Sequence, residues 1–248
     1  MKTYKIHALP LCTIDIDMSV LTYRFNYGKK ITMPVVAWYI EGADKKILVD
    51  TAADAKLAAE FRGLPAQEVM SVEKALASVG TKPEEIDIVI GTHLQWDHCA
   101  NTQKCRNAKV LVQEEELRFA YCAHPILAPT YKKSLFMGVN FVVVKGSYEV
   151  APGIDLIFTP GHTPGGQSVV VNTSQGKAVI TGFCCLKENF GPPEDAPDEI
   201  KEVTPVISPG IHINAKDAFE SILLVKGIAD IPLPCHDPAY SKPQVIPG

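Results

Sequence analysis

His93, Gln95, Asp97 and His98 fall within one short stretch, directly after the apolar run Ile86-Asp87-Ile88-Val89-Ile90-Gly91. Two imidazoles, a carboxylate and an amide on the loop that ends a strand bring several metal-ligand types to one point in space. Two more histidines sit in loops of distinctive composition. His162 lies in Thr159-Pro160-Gly161-His162-Thr163-Pro164-Gly165-Gly166-Gln167-Ser168, and His236 in Leu233-Pro234-Cys235-His236-Asp237-Pro238. A lone histidine is usually a polar residue with one partner, and His7 and His124 are read that way. For His93, Asp97, His98, His162 and His236, the joint spacing and flanking residues point instead to one shared polar site.

The segment from His93 to His98 resembles the His-x-His-x-Asp-His signature of the metallo-β-lactamase superfamily, with Gln95 where the second histidine would stand. Ile47-Leu48-Val49-Asp50-Thr51 looks like the strand and Asp-Thr turn that precede that signature. The His162 segment looks like the family's Gly-His-(Thr/Ser)-x-Gly, and the His236 segment like its last ligand loop. The resemblance runs over residues 31–238. A second departure lies at Val179-Ile180-Thr181-Gly182-Phe183, where Phe183 takes the place of the aspartate that bridges two metals; Cys184 and Cys185 follow at once.

The resemblance implies an αββα four-layer sandwich, one domain over residues 1–248, and a zinc centre of one or two ions, with manganese or iron as alternatives. One metal position would use His93, Gln95 and His162, weakened by a neutral amide oxygen that suits harder cations. The other would use Asp97, His98 and His236, with Cys184 as the expected fourth donor, because thiolate is an excellent zinc ligand and the register shift is small. That second position is expected to fill first when zinc is scarce. If it fills alone, His93 and His162 are free for acid-base work, and Gln95 for a hydrogen bond to substrate.

Within the superfamily, Leu21-Thr22-Tyr23, Pro209-Gly210-Ile211-His212 and His236-Asp237-Pro238 look most like the lactonase branch. The expected activity is therefore metal-dependent opening of a small cyclic ester or cyclic amide by activated water. Asp97 would orient the water or accept its proton, with His93 as a second catalytic group. Residues 18–33 and 119–137 carry the residues expected to meet substrate: Tyr23, Lys133 and Phe136, with Gln95 and His212 beside them. A glyoxalase II-like thioesterase and a metabolite-binding member without catalysis stay open as alternatives.

Composition bounds the partners. With 46% hydrophobic and 21% charged residues over 248 positions, the chain can bury a full core, and a formal charge of −4 offers no broad basic face for nucleic acid. No stretch approaches the about 20 apolar residues needed to span a bilayer. The first residues, Met1 to His7, lack the apolar core of an export signal. Seven cysteines, an odd number, fit reduced thiols in the cytosol. The expected partner is a small molecule; a homodimer is left open.

The elements that must position these groups can be read from periodicity. Extended β-branched segments are expected at 35–40, 46–50, 86–91, 109–113, 141–144, 154–158, 168–171 and 178–181, separated by Gly, Pro, Asn and Asp turns. Helices are expected at 66–79, with Val69, Val72, Leu76 and Val79 on one face and Gly80 as a C-cap, at 113–123, and at 216–225 with Asn214 as an N-cap. The stretch 191–197 reads as a surface excursion and 241–248 as a tail.

Overall fold

In the computed structural model, which describes residues 2–63, 65–194 and 196–248, the chain forms strand β1 (Lys5–Asp17), β2 (Lys30–Glu41), β3 (Ile47–Val49), helix α1 (Ala55–Arg62), β4 (Ala66–Glu68) and α2 (Val72–Ser78). It continues through β5 (Ile88–Ile90), α3 (Trp96–Cys99), β6 (Lys109–Gln113), α4 (Glu114–Tyr121), β7 (Asn140–Val144), β8 (Tyr148–Ala151) and β9 (Ile154–Phe158). The remaining elements are β10 (Gln167–Thr173), β11 (Gly176–Ile180), α5 (Asp198–Val203), α6 (Ala215–Ile228), β12 (Ile231–Leu233) and β13 (Gln244–Ile246).

Two sheets result. One runs β13-β1-β2-β3-β5-β6-β7 with β4 on the flank of β1, and the other runs β12-β11-β10-β9-β8. The side chains alternate with period two and so serve three layers at once. Val36, Trp38, Ile40, Ile47, Val49, Ile90 and Leu111 of the first sheet meet Leu156, Val169, Val171, Ala178 and Ile180 of the second in an apolar inter-sheet core. The intervening residues point outward. Val35, Ala37, Leu48, Val89 and Val110 pack with Ala58, Val72, Ala75 and Leu76 from α1 and α2, while Val170 and Val179 pack under Ile222 and Val225 of α6. This is the αββα sandwich expected from the sequence.

Most strands fall where the pattern placed them, and β6 and β9 match residue for residue. The helix expected at 66–79 is shorter. Ala66, Gln67 and Glu68 pair with Ile14, Thr13 and Cys12 of β1, and the helix begins only at Val72, after Ser71, whose hydroxyl accepts the Lys74 N–H. Val69 therefore leaves the buried face. Helix α1 was not expected; Asp54 caps its N-terminus and Gly63 ends it in the left-handed region. The long β1 was not expected either; its register against β2 shifts between Pro10 and Cys12. Among the described residues, no helix is long and apolar enough to cross a membrane.

The connectivity gathers the chemistry at one rim. Strands β3, β5 and β6 run parallel, so the residues after β3 and β5 emerge together. In the other sheet β11 and β12 run parallel, and β9 shares their direction because β10 is antiparallel to both β9 and β11. Asp50, the His93 loop, the His162 loop, Thr181 to Cys185 and the His236 loop all leave from strand C-termini. Gln167 ties the sheets beneath them: its backbone N–H donates to the Thr92 carbonyl and its side-chain amide to the Gly91 carbonyl.

Candidate metal centre

His93, His98, His162 and His236 form one cluster. Ring centroids lie 3.9 Å apart for His93 and His98, 4.8 Å for His93 and His162, and 5.4 Å for His98 and His236. All four are buried, none more than 3% exposed. In each, Nδ1 is committed to an oxygen. His98 Nδ1 bonds Asp50 Oδ2 at 2.7 Å, His162 Nδ1 the Ile211 carbonyl at 2.8 Å, His236 Nδ1 the Pro34 carbonyl at 3.0 Å and His93 Nδ1 the Thr92 hydroxyl oxygen at 3.1 Å. Carbonyl and carboxylate oxygens only accept, which assigns the ring proton to Nδ1 and leaves Nε2 a bare lone pair. The Thr92 hydroxyl donates to Asp50 Oδ2 at 2.8 Å, so its oxygen is left to accept from His93.

His93, His98 and His236 Nε2 are buried without a hydrogen-bond partner, as is the Gln95 amide nitrogen. A buried polar atom with no partner costs about 1–3 kcal/mol, and three facing one cluster mark a place built for a cation. Asp97 Oδ2 lies 3.7 Å from His98 Nε2 and 3.6 Å from His236 Nε2. Two ligand atoms about 2.0–2.1 Å from zinc sit roughly 3.4 Å apart at a tetrahedral angle, so this trio has the spacing of a metal's coordination sphere. The residues fit a divalent ion.

Electrostatics favour the ligating form in His93, His162 and His236. Burial, reinforced by the neighbouring imidazoles, holds His93 well below the ordinary histidine range. Burial likewise takes His162 and His236 down to about 4. Burial pulls the same way on His98, but the Asp50 and Asp97 carboxylates outweigh it and raise its pKa. Neutral imidazole is the ligating form.

Two buried carboxylates hold the loops. Asp50, at φ 55°, accepts the Thr92 N–H and hydroxyl as well as His98 Nδ1. Glu116, in the first turn of α4, accepts the Leu94 N–H at 2.8 Å, the Tyr131 hydroxyl at 2.9 Å and the Gly165 N–H at 3.3 Å. It thereby joins the His93 loop to the His162 loop. The His162 loop is also wedged between helices. A Cβ at Gly161, φ 118°, would come within 2.1 Å of the Ala218 nitrogen of α6, and one at Gly165 within 2.0 Å of the Glu116 nitrogen. Trp96 anchors α3 by stacking on Phe61 of α1, 5.0 Å between centroids.

The remaining expected residues divide. Gln95 is buried at the head of α3. Tyr23 meets His212 edge-on at 4.6 Å, and Tyr23, Phe25, Ile207, Ser208 and Phe219 line a cavity of about 440 Å³. Since His212 follows Ile211, whose carbonyl anchors His162, this pair lies next to the cluster. Lys133 is exposed. Phe136 is a correction: it is 0% exposed and packed with Leu94, Val112, Ala120 and Tyr131, so it supports the motif loop from below instead of meeting substrate. Cys184 is buried in the cluster that contains Trp96 and Leu186. Cys235 had not been placed among the donors, yet its Sγ and one ring nitrogen each of His98 and His236 lie within 4.8 Å of one another. Asp50, Glu116 and Cys235 were missed as site residues. Asp50 carries a sequence signal, a carboxylate closing an apolar strand. Glu116 is hidden in the run Glu114-Glu115-Glu116. Of the two other histidines, His7 pairs with Glu41 and His124 accepts the Ile126 N–H.

Comparison with known proteins extends the pattern. The metallo-beta-lactamase superfamily model matches residues 32–226. An N-acyl homoserine lactonase of Bacillus cereus is 29% identical over 203 residues, covering 77% of this chain and 80% of the relative. The lactonase AiiB of Agrobacterium fabrum is 25% identical over 221 residues, covering 76% and 80%. The crystal structure of a Bacillus thuringiensis AiiA variant with N-decanoyl-L-homoserine at its active site superposes with a TM-score of 0.76 at 27% identity, covering 96% of this chain and 95% of the other. An N-acyl homoserine lactone hydrolase with N-hexanoyl-L-homoserine at its catalytic metal centre gives 0.75 at 26% identity, covering 96% and 95%.

Proposed function

The chain belongs to the metallo-beta-lactamase superfamily, and from that premise we propose that it is a metal-dependent hydrolase that opens a small cyclic ester, with a cyclic amide as the harder second substrate. The observation that carries the reading is the set of buried Nε2 atoms left bare beside the Asp97 carboxylate. The relatives support a lactone with an acyl side chain as the first substrate to try.

Zinc is the proposed ion; when bound it polarises the ester carbonyl and lowers the pKa of a water to about 7. Asp97, His98 and His236 would hold one ion. His93, Gln95 and His162 would hold a second, less tightly, because a neutral amide stands among them. Asp97 orients the attacking water and takes its proton on a carboxylate oxygen. Asp50 fixes His98 with its proton on Nδ1, which keeps the ring plane and the donor nitrogen aimed inward. Where Gln95 does not ligate, its amide N–H donates to the carbonyl oxygen as negative charge develops there. Tyr23 and His212, packed edge to face, stand next to the His162 anchor, where the acyl part of the substrate would lie.

The test is turnover of a lactone series beside acyl thioesters, with metal content measured by elemental mass spectrometry on protein purified without chelator. Lactone opening that disappears on chelation and returns with zinc is the expected result. Faster cleavage of thioesters would move the assignment to a glyoxalase II-like enzyme, and turnover by metal-free protein would overturn it.

A further inference from the structure

On the His98 side, the position where the family would supply a bridging carboxylate is Phe183, and that ring is buried with Val170, Val179, Ile222 and Val225 beneath α6. A further anionic donor there must come from another residue. Cys235 Sγ lies within 4.8 Å of one ring nitrogen each of His98 and His236. Because both Nδ1 atoms are committed, to Asp50 and to the Pro34 carbonyl, the nitrogens open for ligation are the Nε2 pair. Neither has a hydrogen-bond partner, although both rings are almost fully buried.

We propose that Cys235 is a thiolate donor of the metal centre, joining Asp97, His98 and His236 in place of the missing carboxylate. The proposal rests on the metal-dependent reading above and adds a ligand to it. Zinc–sulfur and zinc–nitrogen bonds of about 2.3 and 2.0–2.1 Å set sulfur and nitrogen roughly 3.6 Å apart at a tetrahedral angle, inside the 4.8 Å within which Cys235 Sγ and one ring nitrogen of each histidine lie. Charge favours it too. Two neutral imidazoles, one carboxylate and one thiolate around a divalent cation sum to zero, the least costly total in a buried site. The backbone holds Cys235 in place, since its N–H donates to Thr181 Oγ1 at 3.1 Å. The thiol itself donates to the Phe183 carbonyl at 3.2 Å. Ligation exchanges that bond: S–H breaks, its electron pair becomes the S–metal donor pair, and the proton passes to solvent. A sulfur donor also biases the centre toward zinc over manganese.

Metal-free protein reconstituted with Co²⁺ tests this, with bound cobalt counted by elemental mass spectrometry. Wild type should show a thiolate-to-cobalt charge-transfer absorption, Cys235→Ser should bind cobalt without it, and Cys184→Ser and Cys185→Ser should keep it. Cobalt bound by wild type with no such band, or a band that survives in Cys235→Ser and vanishes in Cys184→Ser, overturns the proposal and leaves the hydrolase reading standing. Failure of wild type to take up either cobalt or zinc would sink both. Should Cys235→Ser not fold, zinc-edge X-ray absorption on a Cys184→Ser/Cys185→Ser variant decides: a sulfur neighbour supports Cys235, and its absence overturns it.

Discussion

Asp50 and Glu116 are both carboxylates buried behind the imidazole cluster, at 1% and 0% exposure, yet they grip different things. Asp50 bonds a ligand ring directly, through His98 Nδ1, and also holds Thr92, whose hydroxyl oxygen is the partner of His93. Glu116 touches no imidazole. Its partners are the Leu94 and Gly165 N–H groups and the Tyr131 hydroxyl, and burial raises its pKa against those hydrogen bonds. One carboxylate therefore sets the electron density and proton position of a donor; the other sets only where two loops lie. The side tuned by Asp50 is also the side with Asp97, His98 and His236 complete, while the side that Glu116 places carries Gln95.

If that division is right, Asp50→Ala should have the largest effect. It strands the His98 Nδ1–H and two Thr92 donors in the interior, so zinc affinity should fall about 10- to 100-fold and unfolding in denaturant should show a loss of about 3 kcal/mol or more. Unchanged zinc affinity in this variant would break the comparison outright. Gln95→His sharpens it from the other side. An imidazole there should raise bound zinc from about one toward about two per chain, and stoichiometry that stays put would mean the amide is not what weakens that position.

Metal removal should expose the buried histidines. His162 and His236 are taken down to about 4 by burial, whereas an unfolded histidine titrates near its ordinary value of about 6.5. Between those values the unfolded chain binds more protons at these two sites, so their contribution to stability is full above the upper value and is lost as pH falls toward the lower, whereas His98, raised by Asp50 and Asp97, works in the opposite sense above its ordinary value. Thermal unfolding of chelated protein from pH 7.5 to 4 should follow that slope, and a flat profile would contradict it. The gentler substitutions come last. Glu116→Gln should cost about 1–2 kcal/mol and lower kcat while zinc stays bound; loss of zinc as complete as in Asp50→Ala would erase the distinction between the two carboxylates. Tyr131→Phe removes one bond to Glu116 and should cost about 1 kcal/mol, read by the same unfolding measurement.

The sequence made the strands and ligand histidines legible for a physical reason: alternating β-branched runs and Gly/Pro-flanked histidines are local patterns. What it hid was partnership across long separations. Nothing near Glu116 distinguishes it from Glu114, which pairs with Arg118 and Lys145 on the surface, until α4 is laid against the Gly165 loop. Phe136 lies in a segment expected to meet substrate, and only the fold turns it inward. Cys235 stood in view next to His236, but its distance to His98 is a tertiary fact. Strand β4 was lost inside a helical pattern because its partner, β1, lies more than fifty residues earlier.

The clamp on the His162 loop has a consequence for how this protein can change. Gly161 and Gly165 let that loop press against the backbones of α6 and α4 at once, so the gap between two helices acts as a gauge for where one donor nitrogen stands. Substitutions on the outer surfaces of those helices, far from any substrate, can then retune the centre through spacing alone. The loop cannot be lifted out and exchanged as a cassette; it has to be inherited together with both helices that calibrate it.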